Sequence, residues 1–117
     1  MVSTIERNIT RSRLTKERVI MKRREVMQRV IGYRLFNYRA LAEKTKYRVS
    51  KEIQNLMNPT RIDETEKGKQ LANVFALSKL CESYGITLSE LFKDIEGEVD
   101  RELKKANQRH INHTLDD

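Results

Sequence analysis

Between Asn37 and Asn58 the chain reads NYRALAEKTKYRVSKEIQNLMN, and its caps and a closing proline divide it into two short helices. Asn37 has the side-chain oxygen of an N-cap. Phe36 before it and Leu41 after it occupy the positions of a hydrophobic staple. The pattern predicts a first helix over residues 38–45, with Leu41 and Ala42 facing inward. A break is expected at Lys46, Tyr47, Arg48 and Val49. Ser50 then caps a second helix, predicted over 51–57, where Ile53, Leu56 and Met57 have the spacing of one buried face. Lys51, Glu52, Gln54 and Asn55 are left pointing outward. Pro59 stops this helix, because the residue before a proline is pushed out of the α region.

A buried small residue in the first helix and a polar face on the second make this pair a helix-turn-helix. The run Leu41-Ala42-Glu43-Lys44 resembles the LAEK opening of that motif in the lambda-repressor/Cro-like (XRE) regulators of bacteria and their phages. The run from Leu80 to Phe92, LCESYGITLSELF, resembles the LAKALGVSLDELF ending of the same domain. Together the two matches cover residues 26–93. The resemblance implies an all-α, lambda-repressor-like five-helix domain. It also implies a sequence-specific, double-stranded DNA-binding transcriptional regulator of phage or prophage-repressor type, reading its operator as a homodimer.

On that reading Lys51, Gln54 and Asn55 reach base edges in the major groove; Gln and Asn suit adenine, and Lys suits guanine. Arg48 and Ser50 hold phosphate at the helix N-terminus. Tyr38 and Arg39 clamp the backbone across the groove, and Lys46 in the break adds a cation. Asn58, Thr60 and Arg61, after the recognition helix, are further backbone candidates, and the acidic DETE that follows, repelled by phosphate, is expected to end the contact at about Arg61. Glu52 is either a cytosine reader or an intramolecular partner for a nearby Arg or Lys.

Charge points the same way. Residues 1–62 carry 16 Lys/Arg against 5 Asp/Glu, whereas residues 63–117 carry 8 against 12, within a chain of net charge +7. A basic half joined to an acidic half suggests a polyanion-binding end and an end with another task. Residues 1–14, with Arg7, Arg11 and Arg13, read as a basic arm able to reach a minor groove; the alternative is a terminus whose charges have no binding role.

A helix is expected from Thr15, with an apolar face through Val19, Val26 and Val30 and the neighbouring Met27, Ile31 and Leu35. The helix-turn-helix domain is placed at 15–93. Gly32 weakens the expectation of one unbroken helix. Residues 60–68, polar and without periodicity, read as a loop. The next helix is expected over 69–84, with Leu71, Val74, Phe75, Leu77, Leu80, Cys81 and Tyr84 inward and Gly85 ending it in a left-handed conformation. Thr87 with Glu90 is a capping box for a short helix whose Leu88, Leu91 and Phe92 close the core.

The tail, 94–117, carries Ile95, Val99, Leu103 and Ala106 at steps of four, four and three. This stripe either folds back on its own domain or pairs with a second copy through Ile95, Val99 and Leu103. A chain of 117 residues is also expected to lack the second, self-cleaving domain that many phage repressors of this family carry. Release from DNA would then fall to an antirepressor protein or to proteolysis.

Other classes gain little. Cys81 is the single cysteine and reads as a buried structural thiol. No phosphate-binding, dinucleotide-binding or metalloprotease pattern occurs. His110 and His113 lack the companions of a metal site, so no cofactor, no metal and no enzymatic activity are expected. With no apolar run for a membrane span or signal peptide, the expected location is the bacterial cytoplasm, at the nucleoid. The alternative function is a protein-interaction module, such as an antitoxin or adaptor, whose DNA binding is secondary.

Overall fold

One long helix, α1 (Thr4–Leu41), comes first in the computed structural model. The structure describes the backbone of residues 4–116 and the side chains of residues 22–108. α1 begins before the expected Thr15, so most of the expected arm is helical, and the side chains of Arg7, Arg11 and Arg13 lie outside the described residues. Val26, Val30, Ile31 and Leu35 are its buried face. Asn37 lies inside this helix and caps nothing. The expected staple is absent: Phe36 is exposed and Leu41 is 80% exposed. The chain leaves α1 at Glu43, whose left-handed φ of 55° turns it away.

The next two helices are displaced from their expected places. Thr45 caps α2 (Lys46–Glu52) by accepting a hydrogen bond from the Arg48 N–H at 3.1 Å. The expected break at 46–49 is therefore helical. Residues 53–58 form a turn, so the helix expected over 51–57 is mostly absent. Asn58 then caps α3 (Pro59–Glu66), accepting from the Arg61 N–H at 2.8 Å. Pro59 starts this helix, because the N–H it lacks would be unpaired in a first turn anyway. The expected loop at 60–68 is thus largely α3. Burial explains the new register: Val49, Ile53, Met57 and Ile62 all enter the core, whereas Leu56 stays exposed.

α4 (Val74–Tyr84) starts five residues later than expected, where Asn73 accepts from the Ala76 N–H at 2.8 Å. Leu77, Leu80, Cys81 and Tyr84 are buried as expected, but Leu71, Val74 and Phe75 are exposed. Gly85, with φ of 74°, ends the helix as expected. Thr87 caps α5 (Leu88–Phe92) through the Glu90 N–H at 3.1 Å. Leu91 is fully buried, Leu88 packs against the core, and Phe92 is largely outside it.

α6 (Ile95–Asp116) runs through Gly97 without interruption and lies along α1. Ile95 and Val99 are buried there and Leu103 is partly buried against the same core. Arg34–Glu98 at 2.7 Å and Arg23–Asp100 at 3.0 Å flank the contact. The tail stripe therefore folds back on its own domain, which corrects its assignment as a dimer contact: Ile95, Val99 and Leu103 are used within the chain. All elements are helical among the described residues, as the all-α expectation required.

Candidate functional site

The unit α2–turn–α3 is a pair of short helices joined by a turn, one helix later than the pair expected from the sequence. Its position is set by glycine. Gly32 of α1 sits where α1 crosses the end of α3. A Cβ there would fall onto the Thr65 carbonyl oxygen and 2.6 Å from that of Glu66. Gly68, with φ of 74°, meets α1 from the other side; a Cβ on it would lie 2.8 Å from Arg29 Cγ and 2.9 Å from Arg29 Cα. Backbone thus packs on backbone, and α3 is seated directly on α1.

A buried ion pair locks the same junction. Arg39 Nε donates to Glu66 Oε2 at 2.7 Å and Nη2 donates to Oε1 at 3.0 Å. Nη1 donates to the Lys44 carbonyl at 3.0 Å. The side chain of Glu66 is only 5% exposed. Hydrogen bonding to Glu66 raises the Arg39 pKa above its usual value. The Tyr84 hydroxyl is buried with no hydrogen-bond partner among the described residues, and burial raises its pKa. Arg39 is therefore a structural group, which corrects its expected role as a backbone clamp. Tyr38 packs half-buried against the core beside it.

The turn is held from within. Ser50, expected as a cap and phosphate ligand, is buried inside α2 and donates to the Met57 carbonyl at 2.7 Å. Gln54 and Asn55, expected to read bases from a recognition helix, instead occupy the turn with left-handed φ values of 57° and 60°. The Asn55 N–H closes the end of α2 on the Ser50 carbonyl at 2.8 Å. Glu52 is an intramolecular partner, as one reading of it had it. Lys44 first, then the Ser83 hydroxyl, hold its carboxyl down to about 2.

The expected cations on α2 divide by partner. Lys46 pairs with Asp63 at 2.5 Å, and Asp63 also takes Lys67 at 2.8 Å. Those lysines, Lys46 first, hold the Asp63 carboxyl down to about 2. Arg48 is exposed and pairs with Glu52 at 3.1 Å. Lys51 is exposed over the Tyr47 ring, 5.0 Å from its centroid. Asn58 spends its side-chain oxygen on the cap. Arg61 is exposed on α3 and has no side-chain hydrogen bond or ion pair among the described residues.

Thr60 and Arg61 are among the candidates expected from the sequence; Asp63, Glu64 and Lys67 are not. With Ile62 and Thr65 buried, the helical period turns Thr60, Glu64 and Lys67 outward, with Arg61 and Asp63 on the flanks. Glu64 accepts from Gln70 Nε2 at 2.9 Å. Beside Arg61 a small cleft is lined by Leu56 and Leu71. No cluster of three or more His, Cys, Asp or Glu able to hold a metal occurs among the described residues. His110 and His113 have side chains outside them. No described helix is long and apolar enough to cross a membrane.

No family model and no curated protein sequence matches the chain. Solved structures do. The fold is similar to that of a clp gene regulator. Two crystal structures of this regulator, ClgR from Corynebacterium glutamicum, align with it. One has a TM-score of 0.56 at 18% identity, covering 62% of this chain and 91% of ClgR. The other has a TM-score of 0.62 at 15% identity, covering 73% and 88%. At these identities the similarity to ClgR is one of fold.

Proposed function

We propose that the protein is a sequence-specific, double-stranded DNA-binding transcriptional regulator that inserts α3 into the major groove. The observation that carries this reading is the mounting of α3. It is capped by Asn58, seated on Gly32 through backbone, and locked by Arg39–Glu66, while Thr60, Arg61 and Lys67 stay exposed. Recognition helices of helix-turn-helix proteins use their N-terminal residues on base edges. Arg48 and Lys51 on α2 are exposed cations for the phosphate strands. The fold shared with a gene regulator and the excess of Lys/Arg in residues 1–62 support the same reading.

The finer reading is a repressor of the lambda-repressor/Cro-like (XRE) type, of phage or prophage kind, acting in the bacterial cytoplasm. It binds its operator as a homodimer through a surface other than Ile95 and Val99. An antirepressor or toxin protein is its further partner. Binding to short duplexes over a range of salt tests the DNA reading. Log K should fall linearly with log salt, and one duplex should be preferred over random sequence. Affinity that is flat with salt, or absent, contradicts it.

One observation favours a second reading as a protein-interaction module. Leu71, Val74 and Phe75 leave an apolar surface at the start of α4, with Val74 67% and Phe75 61% exposed. In that reading these side chains bind a partner protein. Phe75→Ser would then abolish partner capture and leave duplex binding unchanged.

A further inference from the structure

We propose that α3 reads G·C pairs, with Arg61 on guanine and Glu64 on the cytosine of a neighbouring pair. This rests on the DNA-binding reading above and names the sequence class that this surface accepts.

Elimination selects the two residues. Ile62 and Thr65 are buried and Glu66 is held by Arg39. Asn58 is spent on the cap. Asp63 and Lys67 are spent on each other, with Lys46 closing the group. Thr60 remains exposed on the outer face, Arg61 exposed on its flank, and Glu64 half-buried on the outer face beside Gln70. Thr60 hydrogen-bonds to any base or phosphate and carries little information. Arg61 and Glu64 carry fixed donor and acceptor patterns.

Arg61 is exposed in the first turn of α3, and no carboxylate holds it among the described residues. Its planar fork matches the two acceptors, O6 and N7, that guanine alone presents in the major groove. Leu56 and Leu71 line the cleft beside it.

Glu64 is the more selective group. A carboxylate offers acceptors only, and phosphate repels it. In the major groove the only donors it can meet are the amino groups of cytosine and adenine. Adenine sets its N7 acceptor beside that amino group, and two acceptors facing each other repel. Cytosine presents the amino donor alone. Gln70 holds one Glu64 oxygen at 2.9 Å, which orients the carboxylate and leaves its second oxygen to accept. Positions three apart on a helix lie about 5–6 Å apart at Cβ, so the two residues address neighbouring pairs.

The experiment is a selection from random-sequence duplex DNA, with sequencing of what binds, for the unaltered protein, Glu64→Gln and Arg61→Ala. Melting temperatures of all three control for folding. The unaltered protein should enrich a motif with adjacent G·C pairs. Glu64→Gln should switch one position from cytosine to adenine by roughly tenfold or more, since glutamine both donates and accepts. Arg61→Ala should relax the guanine position and leave the cytosine position in place. If Glu64→Gln tightens all duplexes alike with the motif unchanged, Glu64 acts only through its charge and the proposal is overturned. A motif untouched by both changes overturns it while the DNA-binding reading survives. No motif with any of the three proteins overturns both.

Discussion

The guanidinium of Arg39, near the end of α1, holds both carboxylate oxygens of Glu66, at the end of α3. One ion pair therefore joins the scaffold helix to the helix that carries the proposed contacts. Arg39 and Glu66 are 14% and 5% exposed, so solvent screens the pair little. Removing one partner leaves a buried, uncompensated charge.

Arg39→Met should therefore destabilise the protein by about 3 kcal/mol, read as a shift of the urea midpoint. The double change Arg39→Met with Glu66→Met should recover much of that loss, because no orphan charge remains. A double variant no better than the single would show that packing around Arg39, and not its charge, is what matters.

Gly32→Ala ought to gain helix propensity of about 1 kcal/mol. The crossing with α3 reverses the sign, since the new methyl meets backbone oxygens that cannot rotate away. A net loss of about 1–3 kcal/mol in chemical denaturation is expected. Ala in place of Gly97, where the nearest atom is the mobile Arg101 Nη1 at 3.7 Å, should not destabilise.

Acid should loosen α2 and α3. Glu52 and Asp63 have pKa values near 2 in the folded chain, against 4.5 and 3.8 ordinarily. A depressed carboxylate stabilises the fold above its ordinary pKa, and that contribution is lost as pH falls toward the folded value. The melting temperature should drop between about pH 4.5 and pH 2 as these two carboxylates take up protons. Glu52→Gln and Asp63→Asn should lower it at pH 7 and flatten the drop over that window. A pH profile identical in the variants would exclude these two carboxylates as its source.

Cys81 is buried in α4, and burial pushes its thiol up to about 11. Roughly one thiol in a thousand is then ionised at pH 8. Alkylation by iodoacetamide should be slow in the folded protein and should rise steeply with unfolding. Rapid labelling in the native state would contradict the packing described for α4.

The second half of the domain was legible because its signals act locally. Gly85 needs a left-handed turn, Thr87 and Glu90 lie three apart, and Leu77, Leu80, Cys81 and Tyr84 follow one period. The pair of short helices is legible in the sequence but at displaced positions, for an equally physical reason. Asn37, Thr45, Ser50 and Asn58 can all serve as caps, and local chemistry does not rank them. Burial does: Ser50 is small enough to sit inside, and Asn37 falls within a helix already running. Pro59 was ambiguous in the same way, since a proline that ends one helix can begin the next. The better reading was Asn58, Pro59 and Gly68 together, a cap, a first residue and a left-handed exit around Ile62 and Thr65. Gly32 gave no sequence signal for its role, because its neighbours across the crossing are more than thirty residues away.

The most direct test of the account is amide chemical-shift mapping as the protein is titrated with its preferred duplex. The largest changes are expected from Asn58 to Lys67, with smaller ones at Arg48 and Lys51. Changes confined to Leu71, Val74 and Phe75, or to the α1–α6 contact, with α3 unmoved, would contradict it.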